Sequence, residues 1–225
     1  MGGKVPPLWG GERPHWLPDS GGKHWGVIAL LDYGAEPFEL EGRSPLGVNM
    51  AARTEAFTRM NLWWDNRFGR QGSTLRGQEQ REWCMRARAA GLRGYYVPGM
   101  VLRHVVPRDR LNKSYFRRWM YWNGISRAVL YRTSGVDMES EDKTGTMPHP
   151  AHIAGTPTHI FRGLLRSLAY MILASLRGDE TEAFTREMYA WFYAGIIRQR
   201  WQDRREPLVA VIGAPPTQQH MAKAN

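Results

Sequence analysis

The chain has 225 residues, of which 42% are hydrophobic and 23% charged, and this balance excludes a wholly disordered or a collagen-like protein. Lysine and arginine number 31 against 21 acidic residues, so the net charge is +10, which favours anionic partners such as nucleic acid, acidic lipid or phosphorylated substrates. The single cysteine, Cys84, excludes an internal disulfide framework and is typical of a reducing compartment.

Neither a leader sequence nor a membrane-spanning helix is predicted. The first seven residues lack the apolar run of a signal peptide. No stretch reaches the roughly 18 to 20 apolar residues that a spanning helix needs. The longest candidates, residues 168–176 and 188–197, are shorter and flanked by arginine. The sequence therefore predicts a cytoplasmic protein.

The first third of the chain contains short elements separated by turns rich in glycine and proline. Residues 1–24 show almost no periodicity and are predicted to be irregular, whereas the apolar run at 25–31 predicts a strand. The remaining predictions here are a loop at 32–46, a short helix within 47–60 and a mobile loop at 70–77.

The middle of the chain carries the clearest helical signal. A helix is predicted from about residue 78 to residue 90, because apolar residues recur at helical spacing and Gly91 follows as a C-cap. Strands are predicted at 95–97 and 101–106, each ended by proline. Ser114 is the predicted N-cap of a helix that extends to about residue 132.

The last third is predicted to contain two helices, at 158–177 and 180–203. The resulting organisation has four parts, which are a mixed α/β domain at 1–133, a linker at 134–157, a basic amphipathic helical region at 158–205 and a disordered tail at 206–225.

Two carboxylates mark the start of the helix near residue 78. Glu79 and Glu82 are three residues apart and therefore share one helix face, and the helix N-terminus favours negative charge there. His104 is predicted at the end of a strand beside Arg103. Together, a histidine, a carboxylate and arginines could hold a metal ion and a diphosphate.

Four segments in this region resemble, in order, the C-terminal half of family 2 glycosyltransferases, over about residues 25–132. The family has a Gly-x-Asn-Met-Ala segment, a GFD-like turn, a Gly-Glu-Asp-x-Asp-Leu-x-x-Arg helix and a Gly-x-x-x-x-Tyr-x-Pro-x-x-x-x-x-His strand pair. The matching residues are Gly47, Asn49, Met50, Ala51 and Arg53; Trp64, Asp65, Phe68 and Gly69; Glu79, Glu82 and Arg86, with Gly77 one place early; and Gly91, Tyr96, Val97, Pro98 and His104.

The resemblance implies a partial GT-A-like α/β fold and transfer of a sugar from a nucleotide-sugar donor to a saccharide or lipid-linked acceptor, usually with inversion. It assigns the catalytic base to the carboxylate pair that opens the helix, because the attacking hydroxyl must lose its proton as the new bond forms. Here Glu79 and Gln80 occupy the pair, so Gln80 replaces the family's base. Glu79 is the preferred surviving carboxylate and Glu82 its possible helper.

The resemblance also implies ligand-binding roles for residues outside the carboxylate pair. Asn49 and Arg53 belong to the acceptor segment, and His104 is implied to contact a divalent metal ion, Mg²⁺ or Mn²⁺, or a diphosphate. Arg108 and Arg110 are expected near donor phosphates. Trp83 has two interpretations, stacking on a sugar or base and packing in the core, of which packing is favoured.

The nucleotide-binding half of the family, which ends in an Asp-x-Asp motif for the metal, has no counterpart in this sequence. We therefore expect the chain to be a fragment, one part of a split enzyme or a degenerate copy. A separate chain would then supply the nucleotide-binding half, and the purified chain alone is expected to bind sugar nucleotides weakly.

The C-terminal helices combine aromatic, aliphatic and basic residues, which has two interpretations. An anionic membrane surface at the inner face of the plasma membrane would suit them, which fits a role in cell-surface glycan synthesis. A helical hairpin packed on the preceding domain is the alternative.

Two other function classes remain open. One is a non-catalytic scaffold or partner that kept the fold, which Gln80 and the missing Asp-x-Asp motif favour. The other is a basic nucleic-acid-binding protein, suggested by the charge and by ten tryptophans, although the basic residues are spread over the chain and no known nucleic-acid-binding motif is present.

Overall fold

The computed structural model describes residues 1–19, 21–134 and 151–205. The predicted tail at 206–225 and most of the predicted linker lie outside these ranges. The described chain is mixed α/β, as predicted, with helices predominating over short strands. The helices are α1 Gly22–Val27, α2 Thr54–Thr58, α3 Glu79–Ala89, α4 Lys113–Ser134, α5 Thr158–Leu176 and α6 Glu180–Gln202.

The strands form three separate pairs. They are β1 Pro7–Trp9, β2 Phe38–Glu39, β3 Tyr95–Tyr96, β4 His104–Val106, β5 His152–Ile153 and β6 Thr156–Pro157. Strand β1 pairs with β4 in parallel, β2 with β3 antiparallel, and β5 with β6 antiparallel. Within the described ranges no sheet exceeds two strands. The short β5–β6 hairpin occupies the only described part of the predicted linker beyond α4.

The N-terminal segment is bound into the fold along residues 95–106, although it was predicted to be irregular. The backbone N–H groups of Val97, Leu102 and His104 donate to the carbonyls of Gly2, Lys4 and Pro6 at 2.9, 3.0 and 2.9 Å. Gly3 is buried so tightly that a Cβ there would lie 1.9 Å from the carbonyl oxygen of Met100. This ladder connects two parts of the chain that are far apart in sequence, which no local pattern indicates.

The strand predicted at residues 25–31 is wrong, because α1 occupies Gly22–Val27. Trp25 and Ile28 lie three residues apart and both point into the core, where a helix places them on one face. A short apolar run has the same composition in a buried strand and in a buried helix. The apolar composition of residues 25–31 therefore could not decide between the two.

The long helices agree with the predicted ranges to within one or two residues, but one cap differs. The side chain of Asn112 accepts a 2.9 Å hydrogen bond from the backbone N–H of Tyr115, so Asn112 rather than Ser114 caps α4. Helix α6 begins where Asp179 accepts from the N–H of Glu182. In the predicted helix at 47–60, only α2 and one 3₁₀ turn at Gly47–Asn49 are helical.

One hydrophobic core joins the α/β part of the chain to the C-terminal helices. Phe116 and Met120 of α4 pack with Phe184, Met188 and Ile196 of α6. Helices α4 and α6 approach most closely at two glycines, because a Cβ on Gly124 would lie 2.0 Å from the carbonyl oxygen of Phe192, and one on Gly195 would lie 2.1 Å from that of Tyr121. The two C-terminal helices therefore pack on the preceding part as a hairpin, through α6. Among the described helices, none combines the length and the apolar character needed to cross a membrane.

A buried histidine in this core predicts a loss of stability in mild acid. Burial lowers the pKa of His24, whose ring lies between Phe116 and Phe184. The unfolded chain therefore takes up a proton near pH 6.5 that the folded chain resists, so the free energy of unfolding should fall as the pH drops below about 6.5. Urea unfolding at pH 7.5 and 5.5 measures this fall.

His24→Gln removes the titrating group and should make that fall smaller. The pKa of His104 is also lowered by burial, so His104 accounts for part of the fall in the free energy of unfolding that remains in this variant. An identical fall in the wild-type protein and the H24Q variant would contradict the assignment to His24.

Candidate functional site

A cavity of about 840 Å³ lies at the N-terminal end of α3. Its described lining comes from the start of α3, the turn at residues 42–48, one face of α4 and the segment around Asp32. Seven lining side chains are basic and two are acidic, Asp32 and Glu79. The basic ones are Lys23, Arg43, Arg70, Arg76, Arg81, Arg110 and Arg127. Because positive charges outnumber negative ones in this cleft, its electrostatic potential favours an anionic ligand.

Glu79 is the first residue of α3 and lies in the wall of this cavity. Within the described part of the chain, its Oε2 atom is buried and meets no hydrogen-bond partner. The backbones of Gly69 and Gly77 pass close to this carboxyl group, since a Cβ added to either would lie 3.9 or 3.8 Å from it, in ordinary van der Waals contact.

The backbone just before Glu79 is held in an unusual conformation. Gln78 has a φ of 84°, in the left-handed region that favours glycine. Its Nε2 donates to Oδ1 of Asn123 at 2.6 Å, and the N–H of Gly77 donates to Oγ of Ser126 at 3.2 Å. These contacts fix the turn to α4. The family motif quoted above, aligned on Arg86, has its glycine at position 78, where this backbone needs one.

Gln80 follows Glu79 into the same cavity, where it lies beside the 42–48 turn. A Cβ on Gly47 would lie 3.7 Å from the Cβ of Gln80. The structure therefore brings together the start of α3 and the Gly-x-Asn segment, and it places Glu79 and Gln80, but not Glu82, at one opening.

Glu82, although one turn from Glu79, is not among the residues that line the cavity and forms a buried ion pair instead. Its two carboxylate oxygens accept from Nε and Nη2 of Arg86 at 2.6 and 2.8 Å, and Nη2 also donates to the carbonyl of Trp63. Glu82 is 4% exposed and lies outside the cavity. Its contacts are those of a residue that fixes α3 to the turn at 62–68.

Trp83 packs in the core, the favoured of its two interpretations. It is 5% exposed, stacks on Phe57 and donates through Nε1 to the carbonyl of Leu62 at 2.7 Å. Neighbouring Cys84 is also enclosed, and burial raises the pKa of its thiol.

Asn49 joins three segments of backbone. Its buried Nδ2 donates to the carbonyls of Lys4 and Met100, both at 2.9 Å, so both of its N–H groups are used within the fold. Arg53 is exposed and immediately precedes α2. From this segment, the residues that line the cavity are Gly47 and Val48.

Arg110 lines the cavity, whereas His104 lies behind it. In the described chain, Nε2 of His104 is buried and has no hydrogen-bond partner. Burial and the nearby charge of Arg110 lower the pKa of His104, so its imidazole is neutral at pH 7. Arg110 also borders a second pocket of about 440 Å³, which includes Arg70 and Arg118. Arg108 packs instead over Gly11, where a Cβ would lie 3.1 Å from its side chain.

The described ranges contain no group of three His, Cys, Asp or Glu side chains that could hold a metal ion. Asp32 and Glu79 are the carboxylates of the cavity, and His104 lies outside its lining. The described residues therefore do not form a metal site by themselves, and a metal contact at His104 stays a prediction.

Sequence reasoning missed the α4 wall of the cavity. Tyr115, Trp119, Asn123 and Arg127 line it and recur every four residues, the spacing of one helix face. That spacing could have found them, because it places four large or polar side chains on one face of α4. Arg76 was also missed, and in the described chain its buried Nε lacks a partner.

A comparison of the chain with protein-family models, with curated proteins and with solved structures finds no match.

Proposed function

We propose that this protein is a family 2-like glycosyltransferase module that transfers a sugar from a nucleotide-sugar donor to a saccharide or lipid-linked acceptor. The observation that carries the proposal is Glu79 at the N-terminus of α3, whose Oε2 atom has no hydrogen-bond partner among the described residues and which lines a cavity with seven basic side chains. A proton acceptor beside an anion-binding surface is what attack by a hydroxyl on a sugar nucleotide requires.

The geometry supports a division of labour between Glu79 and the arginines. Glu79 takes the proton of the acceptor hydroxyl as its oxygen bonds to the anomeric carbon of the sugar. The bond from that carbon to the diphosphate oxygen breaks, and the nucleoside diphosphate leaves with the bonding electrons. Arg76, Arg81 and Arg110 stabilise the charge that develops on the diphosphate, because charge-assisted hydrogen bonds to phosphate are strong.

The backbone at Gln78 gives independent support to the resemblance. A left-handed φ at the residue before Glu79 costs free energy for any side chain, and the family motif has glycine at this position. The backbone at position 78 thus has the left-handed conformation for which the glycine of the motif is suited, although this chain has glutamine there. A partial GT-A-like fold is the proposal that follows.

A divalent ion would stabilise charge on the leaving diphosphate, but the described residues do not provide its ligands. We propose that Mg²⁺ or Mn²⁺ binds through an Asp-x-Asp segment of a nucleotide-binding half carried by a separate chain. No step assigned to Glu79 or to the arginines depends on that ion.

The direct experiment supplies radiolabelled UDP-, GDP- and dTDP-sugars to the purified protein with Mg²⁺ or Mn²⁺. Membranes from the native cell, stripped of this protein by gene deletion, provide acceptors and any separate nucleotide-binding chain. Transfer of label that requires the added protein supports the proposal. Equal transfer with and without the protein, for every donor, contradicts it.

Gln80 favours a second candidate, a degenerate transferase that acts as a scaffold or partner. Glutamine cannot accept a proton as a base, and Gln80 stands in the cavity at the family's base position. In the same assay, a Gln80→Asp variant distinguishes the two candidates. Turnover that appears only in the Q80D variant supports the degenerate copy, whereas turnover by the wild-type protein supports the transferase.

A further inference from the structure

The outward face of α5 is formed by large aliphatic side chains. Leu165, Ile172 and Leu176 are 66%, 55% and 79% exposed and lie one above the other along the helix. Leu168 and Leu173 flank them and are also exposed. The sequence predicts one apolar side made of Phe161, Leu164, Leu165, Leu168 and Ile172. In the structure this side is divided, because Leu164 packs against the core whereas Leu165, Leu168 and Ile172 are exposed. A contiguous exposed patch of this kind marks an interaction site.

The inward face of α5 combines small residues with one large one. Gly163, Ser167 and Ala174 are buried together with Ile160, and a Cβ on Gly163 would lie 2.6 Å from the ring of Tyr193 on α6. Beyond its first turns, helix α5 therefore packs on its neighbour mainly through small side chains, while Leu165, Leu168, Ile172, Leu173 and Leu176 are exposed. Helices in contact with lipid are arranged in this way, because close packing through small residues joins them while apolar side chains face the acyl chains.

The charges around this face are positive. Helix α5 contains Arg162 and Arg166 and no acidic residue, and Arg177 follows its last turn. The acidic residues that follow α5 in sequence have partners, since Asp179 caps α6, Glu180 pairs with Lys113, and Glu182 pairs with Arg186. An anionic surface complements this face, whereas a second copy of a chain with net charge +10 would be repelled by it.

The dimensions of the helix indicate how it would lie. Its 19 residues extend roughly 28 Å, and one side is fixed to α6 along this length. The opposite side is exposed in the described part of the chain and can enter an apolar phase. A helix with these properties lies in the plane of a membrane interface.

We propose that α5 docks the protein on an anionic lipid bilayer, with Leu165, Ile172 and Leu176 among the acyl chains and the arginines at the headgroups. This docking is separate from sugar transfer, since it involves neither the cavity nor Glu79. It would bring the protein to a surface on which a lipid-linked acceptor is available.

Vesicle flotation of the full chain tests the proposal. Vesicles of phosphatidylcholine with 30% phosphatidylglycerol are compared with pure phosphatidylcholine, at about 50 and 500 mM NaCl. We expect flotation with the anionic vesicles at low salt and a loss of at least tenfold in the Leu165→Gln/Ile172→Gln variant. Arg166→Gln should weaken binding about fivefold at low salt, the equivalent of about 1 kcal/mol for one charge at the membrane surface.

The matched control is Val101→Gln/Val105→Gln, because these two aliphatic side chains are 55% and 58% exposed and belong to another surface. Circular dichroism establishes that all variants are folded. Four outcomes overturn the proposal: no flotation of the wild-type protein, equal flotation with neutral vesicles, undiminished flotation of the L165Q/I172Q variant, or a wild-type dimer that this variant converts to a monomer without any lipid binding.

Discussion

Replacing Glu79 by glutamine is expected to reduce sugar transfer by about a hundredfold or more, because a positioned general base contributes roughly 10² to 10⁴ in rate. The substitution keeps the size of the side chain and removes its ability to take the proton. The transfer of label in the membrane assay described above, with each protein first shown to be stably folded, gives the effect. An unchanged rate in E79Q would contradict the assignment of Glu79 as the base.

Two further glutamine variants make this result specific to Glu79. Glu36→Gln changes an exposed carboxylate outside the cavity and should leave the rate unchanged. Glu82→Gln removes the partner of Arg86 from a buried ion pair, so we expect a loss of about 3 kcal/mol in the free energy of unfolding. The rate per folded E82Q molecule should stay near that of the wild-type protein. A loss of rate in E82Q equal to that in E79Q would instead make the two carboxylates one functional unit.

A large loss of stability is expected where α4 crosses α6. Alanine at Gly124 or at Gly195 would place a methyl group about 2 Å from a carbonyl oxygen of the facing helix. Backbone on both sides cannot move as a flexible side chain can, so the helices must separate and the shared core must loosen. We expect a loss of about 3 kcal/mol in the free energy of unfolding for each variant, by chemical denaturation.

Gly26→Ala is the matched control, since Gly26 lies inside α1 and an added Cβ would meet no atom of the described chain within 4 Å. Alanine there should stabilise the protein by up to about 1 kcal/mol, because it lowers the backbone entropy of the unfolded chain. Similar losses in G26A and G124A would show that helix propensity rather than the crossing governs these positions.

Local periodicity predicts those parts of the fold that depend on local sequence. Helix α3 begins and ends within a residue of the predicted bounds, because charges of the right sign and Gly91 mark its ends. The pairing of β1 with β4 could not be predicted, since it joins residues from opposite ends of the α/β part and leaves no repeating pattern. Helix α5 shows a different limit. Apolar residues occupy several of its sides, since Ile160 and Leu164 pack in the core and Leu165 and Ile172 are exposed, so the apolar pattern could not decide which of these sides faces the core.

The candidate site was likewise predicted only in part from the sequence. Motif spacing indicates Glu79 and Gln80, which the structure places together in the cavity, along with Arg110. The same motifs also contain Glu82, Trp83 and Asn49, whose polar groups bond within the fold. The spacing of a motif along a helix identifies a group of neighbouring residues. It does not show which of them face the cavity, because that depends on how α3 packs against α4 and the 62–68 turn.

The ladder between the first residues and segment 95–106 has a practical consequence for handling the protein. The carbonyls of Gly2, Lys4 and Pro6 satisfy backbone donors that would otherwise face water or another molecule. Shortening the chain by about ten residues would leave β4 with a bare hydrogen-bonding edge, which invites edge-to-edge aggregation. Expression variants should therefore keep this terminus intact and accept sequence changes elsewhere.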